Sequence, residues 1–201
     1  MRSGDYSRAM TILTTPRLRL APMADAHLDG LFEMNRDPEV MRYITGRPDT
    51  RADTQAMIDR VKRRWGEWGF SWWTFFERET GEIVGAGCIQ HLRGETANPH
   101  EIGWRLRRDR WSRGYGSEAA RRMAAFAFDT LQAPEIVAVC DPANDGSAHI
   151  MKKLGMSYRE LQRWQDADIA VYGMTADEWR RSPSAAKAAQ EIAATPPEPR
   201  G

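Results

Sequence analysis

Net charge, cysteine, histidine and long apolar runs are all scarce in this chain, and each shortage removes a class of function. The 29 Lys and Arg side chains almost cancel 28 Asp and Glu, which leaves a formal charge of +1 over 201 residues. No bulk field therefore draws the protein to nucleic acid or to a membrane surface. No apolar run is long enough to span a bilayer, and Met1 to Thr15 lacks the apolar centre of a secretion signal, so a cytoplasmic protein is expected. Cys88 and Cys140 are the only cysteines; they stand far apart in apolar, strand-like runs and read as buried reduced thiols rather than as a zinc pair. His27, His91, His100 and His149 show no ligand spacing, so no metal is implied. Internal repeats are missing too.

The ends of the chain carry little that folds. Residues 1–10 read as a flexible N-terminus, with Met10 an alternative start. From Ser182 to Gly201, Ala, Pro and Glu dominate and large apolar residues nearly vanish, so a disordered tail or frayed helix is expected. What lies between, 11–181, is the length of one ordinary domain.

Within that domain the hydrophobic period alternates between strand and helix. A first strand is expected over Leu13 to Leu20, and Asp25 can cap a helix carrying Leu28, Leu31 and Phe32. Asp37-Pro38-Glu39 is a compact helix start with proline at the first helical position. Met57, Ile58, Val61, Trp65 and Trp68 mark a longer helix ended by Gly69. A hairpin follows, Ser71 to Glu77 and Glu82 to Leu92 around Thr80-Gly81, and a loop from Arg93 to Pro99 leads to a strand over His100 to Arg107. After a further helix come a strand at Ile136 to Cys140, a helix from about Gly146 to Leu154 ended by Gly155, and closing strands near Met156 to Arg163 and Ile169 to Met174. The order is that of a mixed α/β domain.

The most informative stretch is Arg110-Trp111-Ser112-Arg113-Gly114-Tyr115-Gly116-Ser117-Glu118. Ahead of it, Ile102, Trp104 and Leu106 alternate with polar residues; behind it, Ala120, Met123, Ala124, Ala127 and Leu131 recur at helical spacing. A glycine-bearing turn that opens a helix presents unpaired N–H groups and the positive end of the helix dipole, so it attracts an anion. Gly114 and Gly116 let a diphosphate approach the backbone, and Arg107, Arg108, Arg110 and Arg113 are expected to add positive charge around it. Two other readings stand beside this one. Gly114 to Ala119 also fits a dinucleotide fingerprint with Glu135 as the ribose contact, although such a motif belongs in a first βαβ unit rather than mid-chain. A plain structural turn is the other.

Arg113-Gly114-Tyr115-Gly116 resembles the diphosphate motif of the GCN5-related N-acetyltransferases (GNAT), with Trp111 where Gln or Arg usually stands. That departure is similar to the branch of the ribosomal-protein N-terminal acetyltransferases. Thr15-Pro16-Arg17-Leu18-Arg19-Leu20, Asp37-Pro38-Glu39-Val40-Met41, Thr80-Gly81-Glu82-Ile83-Val84-Gly85, Asn144-Asp145-Gly146-Ser147, Lys153-Leu154-Gly155-Met156 and Val171-Tyr172-Gly173-Met174-Thr175 resemble the same branch, in the same order, over about residues 11 to 180. The resemblance implies a mostly antiparallel central sheet, splayed in the middle and flanked by helices, within an N-acetyltransferase domain at 11–181. It also implies acetyl-CoA as co-substrate, no metal, and direct transfer to a primary amine, either a protein N-terminus or a small molecule. Trp104, Leu106, Arg108, Trp111, Ser112, Arg113, Gly114, Tyr115, Gly116, Ser117, Asn144 and Lys153 are the residues it points to for CoA binding, with the pantetheine arm along the strand ending at Leu106.

An amine is protonated at neutral pH and needs a base. Glu101 is the first choice, on a strand face with Gly103 and Arg105 and opposite Ile102, Trp104 and Leu106; a carboxylate salt-bridged to Arg105 is the structural alternative. His100 and His149 follow. Relatives protonate the leaving thiolate with a tyrosine, but Met151 stands at that position, so Ser147 takes the role, against a competing reading as a mere helix cap. Tyr158 and Tyr172 stay in reserve. The resemblance implies an acceptor pocket built from the regions around Asp25 to Arg47 and Arg163 to Asp168; Asp25, Asp29, Glu33, Asp37 and Glu39 would make the first acidic, or they are a solvated helix face. Trp65, Trp68, Trp72 and Trp73 read as core or as a dimer surface, and a homodimer stays open. Met151 also keeps alive a non-catalytic acyl-CoA-binding sensor or interaction module.

Overall fold

The computed structural model describes residues 11–165 and 167–196; the expected flexible start at 1–10 and the far end of the tail lie outside them. The first expected strand is two, β1 (Leu13–Thr14) and β2 (Leu18–Pro22). Pro16 has no N–H to give a ladder, and the chain turns there, with the Thr15 N–H donating to the Leu18 carbonyl at 2.9 Å and the Leu18 N–H to Thr15 Oγ1 at 2.9 Å.

Three helices follow, α1 (Leu28–Asn35), α2 (Pro38–Met41) and α3 (Arg51–Trp68). Pro38 opens α2 with Asp37 as its cap, and Gly69 closes α3, both as expected. Asp25 is not a cap: a short 3₁₀ turn, Asp25–His27, precedes α1, and the Asp25 carboxylate instead accepts from Gln55 at 3.1 Å and pairs with Lys62, both on α3.

The strands β3 (Trp72–Glu77), β4 (Ile83–His91) and β5 (His100–Leu106) form an antiparallel meander, and α4 (Tyr115–Ala125) then crosses the sheet, prolonged by a π-helical turn at Phe126–Thr130. The rest of the fold is β6 (Glu135–Cys140), α5 (Asp145–Leu154), β7 (Ser157–Trp164), β8 (Ala167–Thr175), α6 (Ala176–Arg181) and α7 (Pro183–Ala193). The eight strands run in the order β1-β2-β3-β4-β5-β6-β8-β7. Every pairing is antiparallel except β5 with β6, which is parallel and extends over only His100↔Ile136 and Glu101↔Val137. Beyond that point β6 stays with β8 as far as Cys140↔Ala170, while β5 stays with β4 as far as Leu106↔Gly85. The sheet is therefore splayed in its middle. A mostly antiparallel sheet of this order also removes the dinucleotide reading, which requires a parallel doubly wound sheet.

Apolar side chains from both faces fill the interior, with Trp73, Phe75, Leu18, Leu20, Ile58, Ile89 and Ile102 fully buried. Trp65 and Trp73 belong to this core, where their rings meet edge to face at 5.2 Å, and Trp68 and Trp72 pack against it.

The expected disordered or frayed tail needs correction over Pro183–Ala193. That segment is a helix, capped by Ser182 and docked on α4 through the buried Ala188 and a two-point ion pair, Arg121 Nε to Glu191 Oε2 at 3.0 Å and Nη2 to Oε1 at 2.5 Å. Its alanine-rich composition is what close helix–helix contact uses, and the charge pair supplies the attachment that large apolar residues would otherwise give.

Candidate active site

The splay opens a cleft of ≈ 670 Å³, walled by the free end of β5, the loop before α4, the first turns of α5 and the residues after α2. The loop meets it with backbone. Gly114 is the N-cap of α4 at φ 82°, a left-handed conformation that glycine adopts without strain. The first bond inside the helix runs from the Glu118 N–H to the Gly114 carbonyl at 3.1 Å, so the N–H groups of Gly114 to Ser117 have no intrahelical acceptor. Gly116 brings α4 close to α5: a Cβ there would lie 2.7 Å from Ile150 Cδ1, which would have to move aside.

Side chains brace this loop from behind. Glu118, 4% exposed, accepts from Thr15 Oγ1 at 2.6 Å, from the Arg17 N–H at 3.0 Å and from Arg17 Nε at 2.7 Å. The same Arg17 donates through Nη1 to the Arg113 carbonyl at 2.9 Å and lies 4.4 Å over the Tyr115 ring. Tyr115 itself is buried, with its hydroxyl on Glu77. Neither Arg17 nor Glu118 stood out for this role in the sequence, although Arg17 sits in the Thr-Pro-Arg-Leu segment that carries the family resemblance.

The expected ring of positive charge is thinner than the sequence suggested. Arg107 pairs with Asp109 at 2.9 Å and Glu82 at 3.3 Å, and Arg110 with Glu82 at 2.7 Å. Arg108 lines a separate cavity of ≈ 510 Å³ beside Glu33 and Asp37. Arginines in a loop next to a hairpin rich in carboxylates find those carboxylates first, which leaves N–H groups and helix dipoles as the main positive charge at this loop.

Along β5, Trp104 and Leu106 line the cleft, and the indole N–H of Trp104 is buried without a partner. Trp111 and Ser112 line it too, the Trp111 ring anchored by its N–H on the Leu106 carbonyl at 2.9 Å. From α5 come Asn144, Ser147, His149 and Lys153. Asn144, not Ser147, caps the helix, its Oδ1 accepting the Ser147 N–H at 3.0 Å. Met151, 2% exposed, faces the core rather than the cleft. Tyr43 and Ile44, not singled out in the sequence, complete the wall after α2.

Glu101 lies on the other face of β5, toward α3, and is half-buried. It does not pair with Arg105. Instead Gln90 Nε2 donates to Glu101 Oε2 at 2.9 Å, while Gln90 Oε1 accepts from Arg64 at 2.8 Å and from the Trp72 indole at 3.1 Å. Burial raises the Glu101 carboxyl above its ordinary value, with the Gln90 hydrogen bond and the Arg64 charge pulling the other way. His100 sits in an aromatic cluster, 5.2 Å from Phe70 and 5.0 Å from His91, and burial lowers it below the usual histidine range. Tyr158 is exposed on β7 and Tyr172 buried on β8, and neither lines the cleft.

The acidic acceptor side does not survive as a patch. Asp25 pairs with Lys62, Asp29 with Arg51 at 2.5 Å and Glu33 with Arg36 at 3.4 Å, while Asp37 is spent as a cap. Only Glu39 of the five lines the cleft. Only Glu33 pairs within its own helix; Asp25 and Asp29 are neutralised by Lys62 and Arg51 of α3, across the helix packing.

A family profile described as an acetyltransferase (GNAT) domain matches residues 17–157. YkkB of Bacillus subtilis (strain 168), an uncharacterised protein, is 34% identical over 165 residues, covering 82% of this chain and 95% of its own. The FsC-acetyl coenzyme A-N(2)-transacetylase of Aspergillus fumigatus is 28% identical over 191 residues, covering 87% of this chain and 80% of its own. Among solved structures, the acetyltransferase from Agrobacterium tumefaciens str. C58 superposes with a TM-score of 0.71 at 28% identity, covering 87% of this chain and 99% of that one.

Proposed function

The chain belongs to the GNAT acetyltransferases, and from that premise we propose that it moves an acetyl group from acetyl-CoA directly onto a primary amine. The observation that carries this reading is the meeting, in one cleft, of a strand edge freed by the splay with two helix N-termini. The residues present fit the co-substrate: unsatisfied N–H groups at Gly114 to Ser117 match a diphosphate, and the unpaired end of β5 with the orphaned Trp104 indole matches an amide-bearing arm. When bound, acetyl-CoA supplies an acetyl group activated as a thioester.

The protein then binds, orients and moves protons. The loop from Ser112 to Ser117 holds the phosphates through backbone, with Arg17 and Glu118 keeping it in place. Asn144 and Lys153 hold the donor from the α5 side. Glu101, its carboxyl raised by burial above the ordinary value, takes through water the proton that the amine sheds as its nitrogen–carbon bond forms and the carbon–sulfur bond breaks. Ser147 presents its hydroxyl on the cleft wall for protonation of the departing sulfur. The fungal relative's name, which specifies acetyl coenzyme A and an N(2) position, supports a nitrogen acceptor.

Calorimetric titration with acetyl-CoA tests the donor half of the proposal. Wild type should bind, and Gly114→Glu, which places an anion in the cradle at a positive φ, should weaken binding by at least about 10²-fold. CoA release on adding amines tests the other half. Equal binding by both proteins would sink the cradle, and binding without any amine-dependent CoA release would leave only a CoA-binding module.

A further inference from the structure

Arg105 is a cation taken out of water with no carboxylate to meet it. It is 8% exposed, it lines the cleft, and among the described residues no carboxylate forms an ion pair with it. Its Nη2 faces the Met57 thioether at 2.6 Å, a weak acceptor, and its Nε is buried without any partner. The guanidinium stacks 5.0 Å over the Trp72 ring. Burial pulls it down to about 10, against the more distant Asp49, with Cys88 and Arg60 as the other ionisable groups around it. Asp49 is itself engaged, accepting from Asn35 at 3.2 Å.

An unpaired buried guanidinium carries a large desolvation penalty, and a protein that keeps one on a cleft wall has an anion to put there. The position says which molecule brings it. Arg105 stands four residues from Glu101 on one face of β5, and the two are linked through Trp72, whose indole donates to Gln90, which donates to Glu101. Stacking on Trp72 fixes the guanidinium plane, and the fork of donors that no carboxylate meets matches a planar anion with two oxygens.

We propose that Arg105 receives the carboxylate of the acceptor, which is therefore a small amino-acid-like molecule carrying both a primary amine and a carboxylate. This rests on the acetyltransferase reading with Glu101 as base. Arg105 is then a specificity-determining residue: charge recognition and proton removal act on opposite ends of one substrate.

The test compares wild type, Arg105→Met and Arg105→Lys on a pool of free proteinogenic amino acids and on the same pool as primary amides, with products identified by mass. Wild type should prefer the acids by about 10²-fold in kcat/KM. Arg105→Met should lose that preference through acceptor KM, and Arg105→Lys should keep part of it. Independently of turnover, calorimetry should show N-acetylglycine binding wild type more tightly than N-acetylglycinamide, a difference that Arg105→Met abolishes. Amides acetylated as well as acids, or a preference that survives in Arg105→Met, would overturn this inference and leave acetyl transfer standing. Acetyl-CoA binding with neither pool acetylated would overturn this inference too, and acetyl transfer itself would fall only if no amine released CoA.

Discussion

The two walls of the cleft are built on opposite principles. On the wall proposed to hold the donor, backbone N–H groups open the helix and the acidic and basic side chains nearby are paired within the fold: Glu118 with Thr15 and Arg17, Arg107 and Arg110 with Glu82 and Asp109. Toward the proposed acceptor side the charges are left over instead: Arg105 lines the cleft without a carboxylate on it, and on the same strand face burial raises the Glu101 carboxyl. A wall that binds a constant ligand can be made of N–H groups and kept rigid by internal ion pairs. A wall that selects a partner keeps charges in reserve, at a cost in stability.

The contrast can be broken first at the base. Glu101→Gln should lower turnover at neutral pH by about 10²-fold or more. A base works only when deprotonated, so with the carboxyl raised by burial the wild-type rate should climb with pH through a value above the ordinary glutamate range. The variant should lose that rising limb, and its deficit should be larger at neutral pH than at high pH if water or hydroxide substitutes. An identical pH profile in the two proteins would remove Glu101 from the mechanism.

A second experiment makes the donor side resemble the acceptor side. Glu191→Ala strands the buried Arg121 guanidinium on the back of α4, and urea denaturation should show a loss of about 3 kcal/mol. A loss well under 1 kcal/mol would mean that α7 is not attached through this pair. Smaller still should be Glu118→Ala, at about 2 kcal/mol, because the freed Arg17 is half exposed and can be hydrated. Its more specific signature is weakened acetyl-CoA binding as the Arg17 to Arg113 tether is released; unaltered affinity would show that the loop holds its shape unaided.

Much of the fold was legible because its signals are local. Pro38 after Asp37, Gly69 and Gly155 at helix ends, and the shift from period 2 to helical period around Gly114 each fix an element without reference to the rest of the chain. What failed were judgements of partnership. The arginines around the cradle look free in sequence because Glu82, 25 residues from Arg107, is not visible as their neighbour. The segment from Pro183 looks unable to fold because Arg121, 70 residues from Glu191, is what holds it down.

The sequence by itself determined the glycine-bearing helix start, since a turn that presents free N–H groups needs only a strand, two glycines and a helix start in consecutive order. Tertiary structure alone decided which charges are spent and which are left over. Arg105 and Arg110 read alike as letters, yet one meets the carboxylate of Glu82 and the other is buried against a thioether and an indole. Pairing is a matter of distances across the sheet and between helices, and these exist only once the chain has closed on itself.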